Sequence, residues 1–147
     1  LLEETVLAFY SDHYNYYVMN DALIQIIKGT EDTNMSQHTT FFAYSPGIEP
    51  QKIDKVTSSL DILPTIANLF GLDTDYRYYV GADAFDPDEG GYVIFSDRSW
   101  YDGQKYRRYN DIINDEYIAM MDEKTDQIMI ITQKTLKTNY FSHRMPR

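Results

Sequence analysis

The feature that most constrains this chain is Thr5 to Tyr10, six residues apolar almost without a break that stop abruptly at Ser11-Asp12-His13. A continuous apolar run of this length suits a central parallel strand covered on both faces. The polar residues after it mark the strand's carboxyl end, where ligands of open α/β sheets gather. Three further segments fit the same architecture. Asn20 can cap a helix running to Lys28, with Gly29 just past its end and Leu23, Ile24 and Ile27 on one stripe. After a polar loop at 29–37, Thr39 to Tyr44 reads as a second strand, closed by the turn Ser45-Pro46-Gly47. Ile62 to Phe70 reads as a helix with Asp61 as N-cap and Pro64 in its first turn. Ile62, Ile66, Leu69 and Phe70 share a face there, and Gly71 stops the helix.

From residue 92 the character changes. Tyr92–Ser96, Lys105–Tyr109, Tyr117–Met121 and Gln127–Thr132 are short strand candidates. Asp102-Gly103, Asn114-Asp115 and Lys124-Thr125-Asp126 lie between them, a spacing that predicts an antiparallel meander. The expected organisation is therefore an α/β portion at 1–91, an antiparallel subdomain at 92–134 and a polar, partly ordered tail at 135–147. The chain opens at Leu1, almost inside its first strand, which predicts a piece of a longer protein.

Composition excludes several classes. With 13 Lys and Arg against 23 Asp and Glu, the net charge is -10, which argues against a nucleic-acid binder working through a basic face. An aromatic content of 15% argues against disorder. The absence of cysteine excludes a disulfide scaffold and a thiolate metal site. No apolar run approaches the roughly 18 residues of a membrane span.

Candidate chemistry begins with Asp12 and His13. A hard oxygen beside an imidazole nitrogen suits Mn²⁺, Zn²⁺ or Mg²⁺ better than Ca²⁺. Read alone, the pair fits cation ligation or an ordinary surface role. His38 fits a contact to a metal or an anionic group, or a hydrogen-bonded loop histidine. Tyr14, Tyr16 and Tyr17 fit a pocket wall or simple packing with hydroxyls at the surface. Trp100, the only tryptophan, reads as a packing anchor, and the acidic stretch at 83–89 as a solvated turn lacking calcium-loop spacing.

Four motifs in order carry a family resemblance. Val6 to Tyr16, with Asp12-His13-Tyr14, looks like the strand-plus-metal motif of the sulfatase-like branch of the alkaline phosphatase superfamily, in the form found in lipoteichoic acid synthases and related phosphoglycerol transferases. His38 to Gly47 resembles the family's H-x-P-strand-P-G segment, and Ser59 to Leu72 its S-x-D-I-x-P-T helix. Gly81 to Phe85, followed by Val93 to Phe95, is similar to its G-x-D-x-F and the next strand. Ser11, Asn15 and Thr40 depart from the pattern.

The resemblance implies the C-terminal part of an alkaline phosphatase-like sandwich, with parallel-type strands and helices. It implies a metal-activated Thr nucleophile, upstream of this chain, that attacks a phosphodiester. Asp12 and His13 are then metal ligands, and His38 and Tyr14 substrate neighbours. The implied cofactor is a divalent ion, Mn²⁺ first, with Mg²⁺ or Ca²⁺ as alternatives. The implied substrate is an anionic phospholipid headgroup or glycerophosphate polymer, handled on the extracellular face of a bacterial membrane through an upstream anchor. The missing N-terminal part of the enzyme is the expected partner, and the isolated fragment is expected to be inactive and to self-associate. A sulfatase and a non-catalytic extracellular binding module are the competing readings.

Overall fold

The apolar run at the N-terminus forms β1 (Leu7–Phe9), and the second apolar run forms β2 (Phe42–Tyr44). The computed structural model, which describes residues 2–13 and 20–144, pairs them antiparallel. Leu7 faces Tyr44, Ala8 faces Ala43 and Phe9 faces Phe42. The two are therefore not the parallel strands that run density suggested. Phe9 stacks on Phe42 with ring centroids 4.7 Å apart and planes 13° from parallel. Such a cross-strand aromatic pair stabilises a two-stranded ribbon, and apolar density carries no information about strand direction. Both rings remain about half exposed, so the face that carries them is not covered as the sequence predicted.

Between these strands lies α1 (Asp21–Lys28). The Asn20 carboxamide accepts from the Leu23 N–H at 2.9 Å, and Gly29 ends the helix in the left-handed region at φ 67°, both as expected. Of the expected stripe only Ile24 is buried; Leu23 and Ile27 are exposed, and Ile26 more so.

The central helix, α2 (Ile62–Leu69), starts at Ile62 as expected and is preceded by a short 3-10 turn, Ser59–Asp61. Ser58 is the cap. Its hydroxyl accepts from Leu60 N–H, and Asp61 completes a reciprocal capping box by accepting from Ser58 N–H at 2.7 Å. Asp61 thus does not cap α2 itself. The buried stripe is Pro64, Thr65 and Ala67, whereas Leu63 and Phe70 are exposed. Small side chains are selected here because the segment 81–84 lies against the helix. The other Asp61 oxygen accepts from Ala82 N–H at 2.7 Å, and the Thr65 hydroxyl accepts from Ala84 N–H at 2.9 Å. Gly81 passes so close that a Cβ there would sit 2.2 Å from the Leu60 carbonyl oxygen. The acidic stretch that follows wraps a lysine: Lys55 Nζ donates to the backbone carbonyls of Asp83, Asp86 and Glu89.

The meander forms, in shorter strands than expected. β3 (Val93–Ile94), β4 (Trp100–Tyr101) and β5 (Tyr106–Arg107) make an antiparallel sheet in that order. β4 lies outside the expected strands, at the residue read as a packing anchor. Two expected strands are absent: Tyr117–Met121 and Gln127–Thr132 both lie in one helix, α3 (Glu116–Lys137). Asn114-Asp115 signals its start, because the Asp115 carboxylate accepts from Ile118 N–H at 3.0 Å. Ile118, Met121 and Thr125 are buried at helical spacing, so Lys124-Thr125-Asp126 lies within the helix. α4 (Tyr140–Arg144) follows, giving structure to most of the presumed tail.

Trp100, with no exposed surface, packs against Ile118, Met121 and Tyr92. Its indole N–H donates to Asp122 at 2.7 Å. The second Asp122 oxygen takes two N–H donors from the buried Arg107 guanidinium, at 3.1 and 3.2 Å. One carboxylate on α3 therefore satisfies both polar groups of the meander that burial would otherwise strand. The chain is a mixed helix-and-strand structure whose sheets are small and antiparallel.

Candidate functional site

Antiparallel pairing sets the end of β1 beside the start of β2. The paired residues end at Phe9 and Phe42, which leaves Ser11 to His13 close to the segment His38 to Thr40. The link is real at Ser11, whose carbonyl accepts from the Thr39 hydroxyl at 3.3 Å. The Ser11 hydroxyl donates to the His13 carbonyl, bending the chain sharply after the strand. That bend matters because neighbours on an ideal strand point to opposite faces. Here the Asp12 carboxylate and the His13 ring face each other, with Nε2 to Oδ1 at 3.6 Å.

His13 and His38 line one open cavity of about 790 Å³, together with Ser11, Ile27, Lys28, Thr39 and Thr40. Lys28 comes from the last turn of α1, and its ammonium donates to the His38 carbonyl. Among the described residues the lining itself holds no Asp or Glu, although the Asp12 carboxylate lies 3.6 Å from the lining His13 ring. An anionic ester entering it meets two imidazoles, hydroxyls and an ammonium on the lining. Asp12 is highly exposed and His13 partly so, which leaves both accessible.

A separation of 3.6 Å matches two ligands of one ion held at about 2.1 Å from each. The pair therefore fits as part of a cation site. Among the described residues no group of three or more His, Cys, Asp or Glu that could hold a metal ion converges. His38 lines the same cavity from 25 positions away along the chain. Tyr14, with Tyr16 and Tyr17, lies outside the described residues.

Lys28 escaped notice in the sequence because a lysine before a C-cap glycine is ordinary helix-end chemistry. Asp32 escaped as well. It accepts from Asn34 and Met35 N–H and from the Tyr106 hydroxyl, and pairs with Arg108 at 2.7 Å, fastening the loop after α1 to the meander. Burial works to raise its pKa, but these donors outweigh it and hold the carboxyl below its ordinary value.

Comparison with known proteins agrees with the motif resemblance. The Sulfatase family model matches residues 1–72, the segment that carries β1, α1, β2 and α2. Lipoteichoic acid synthase 2 of Bacillus subtilis (strain 168) is 27% identical over 88 residues, 56% of this chain and 14% of that protein. Lipoteichoic acid synthase of Staphylococcus saprophyticus is 27% identical over 99 residues, 65% of this chain and 15% of that protein. The chain thus spans about one-seventh of the length of these relatives. No solved structure matches. The resemblance to a sulfatase-like, lipoteichoic acid synthase-type protein is therefore shown, over part of the chain.

Proposed function

We propose that this chain is part of a metal-dependent phosphoglycerol transferase or phosphodiesterase that acts on lipid headgroups or cell-envelope polymers. The observation that carries the reading is the Asp12–His13 pair, bent face to face at the carboxyl end of β1 beside an open cavity lined by His13, His38 and Lys28. The two side chains would hold one divalent ion, Mn²⁺ by preference, completed by ligands from polypeptide outside these 147 residues. Bound there, the ion would neutralise phosphoryl charge and lower the pKa of a Thr nucleophile, also contributed from outside. His38 would orient the ester oxygens, with Lys28 bracing it through the His38 carbonyl. The exposed Phe9–Phe42 stack and the exposed residues Leu23, Ile26 and Ile27 supply the surface against which we place the rest of the enzyme. We place the site on the extracellular side of a bacterial membrane, anchored by other polypeptide; no helix among the described residues is long and apolar enough to cross one.

Isothermal titration of the full-length protein with Mn²⁺ tests the assignment. Asp12→Ala and His13→Ala are each expected to weaken binding by about tenfold or more. Unchanged affinity in both variants removes the ligand assignment. The family match also supports a second reading, sulfate ester hydrolysis. An aryl sulfate and an aryl phosphodiester, assayed side by side, separate the two: turnover of the sulfate alone favours the second.

A further inference from the structure

Charge is distributed unevenly along this acidic chain. Residues 127–147 hold four of its 13 Lys and Arg and none of its 23 Asp and Glu. Within α3, helical spacing places Ile130, Lys134 and Lys137 on one stripe with Ile131 beside it, on the side away from the buried Ile118, Met121 and Thr125. Ile130 is 43% exposed and Ile131 58%. α4 adds Tyr140 and Phe141, both partly exposed, with the Arg144 guanidinium 5.8 Å above the Tyr140 ring. An edge contact from Phe141 to Tyr78, at 5.9 Å, holds α4 against the body of the protein. Among the described residues no ion pair joins Lys134, Lys137 or Arg144 to a carboxylate.

We propose that the outward face of the C-terminal half of α3, together with α4, docks on the surface of an anionic lipid bilayer. Cations interleaved with exposed isoleucines and aromatic rings are what an interfacial helix needs: ammonium groups meet lipid phosphates while apolar side chains enter the acyl boundary. A soluble polyanion would reward the cations and leave the isoleucines in water. Spanning is excluded for α3, which is too polar to cross a membrane. The acidic remainder of the chain is repelled by the same surface, which orients the molecule with its C-terminal end down. This inference does not depend on the Asp12–His13 assignment, and its test requires no catalytic activity.

The test is co-sedimentation with vesicles of phosphatidylglycerol and phosphatidylcholine, against vesicles of phosphatidylcholine alone. The expected result is binding to the anionic vesicles only, weakening as salt rises. Lys134→Glu/Lys137→Glu should reduce it by about tenfold or more, since each basic residue near such a surface contributes appreciably. Ile130→Ser/Ile131→Ser should also reduce it, at a salt concentration where wild type still binds. Far-UV circular dichroism and Trp100 fluorescence verify that both variants fold, and Lys134→Gln/Lys137→Gln serves if the charge reversal does not. Absence of binding to anionic vesicles overturns the proposal, as does wild-type-level binding by the charge variants. If the isoleucine variant binds normally and polyphosphate displaces the protein completely, the face is a polyanion site and the lipid assignment fails.

Discussion

Asp61→Asn isolates what the shared D-I-x-P-T segment does. The native carboxylate is 6% exposed and acts only as an acceptor, one oxygen taking Ser58 N–H and the other Ala82 N–H, each at 2.7 Å. Asparagine preserves the shape but replaces one acceptor with an NH₂ donor. Whichever way the amide turns, a donor then faces a backbone N–H with no acceptor between them. The loss is one charge-assisted bond, about 1.5–3 kcal/mol, with the orphaned N–H included in that range or adding to it. We expect about 3 kcal/mol of destabilisation. Trp100 reports it, being the only tryptophan and fully buried. With a urea slope of about 2 kcal/mol/M, the fluorescence midpoint falls by about 1.5 M. If this segment is scaffold, Mn²⁺ affinity of the folded variant stays within about twofold of wild type. A loss below about 0.5 kcal/mol would refute the capping account, and a large loss of metal affinity in a folded variant would refute the division between scaffold and site.

Two further outcomes follow from the same packing. Gly81→Ala drives a methyl group to 2.2 Å from the Leu60 carbonyl oxygen and 2.7 Å from Asp61 N, backbone atoms that cannot rotate away. We expect overpacking of about 2–3 kcal/mol, read as a thermal midpoint several degrees lower; an unchanged midpoint contradicts the close approach. Asp32, whose pKa is lowered in the folded state, contributes stability that is fully present above its unfolded value near 3.8 and is lost as pH falls below that toward the folded value. Urea midpoints should therefore drop as pH falls through and below 3.8, and Asp32→Asn should flatten that drop; parallel profiles for the two proteins would remove Asp32 from the acid response.

Capping chemistry was legible in the sequence because it acts over three or four residues. Asn20 and Gly29 bound α1 where their types predict, and Pro64 sits buried in the first turn of α2. Trp100 as an anchor was legible from its size alone. The segment 116–137 was misread because Tyr117, Ile118 and Ile128 to Ile131 are strand-prone locally. The Asp115 cap and the burial of Ile118, Met121 and Thr125 against Trp100 override that propensity. The candidate site divides the same way. An Asp-His pair after an apolar run is visible in the linear order of residues, and so is a lone histidine before a second run.

The sequence by itself determined which residue types stand at strand ends and helix caps, because those preferences are settled by each residue's own backbone and near neighbours. Strand direction, the strand register, and the meeting of His13, His38 and Lys28 at one cavity were decided by tertiary structure. They depend on closing a loop between positions some 25 residues apart, and the free energy of that closure lies in cross-strand contacts such as Phe9 on Phe42, which no local pattern encodes.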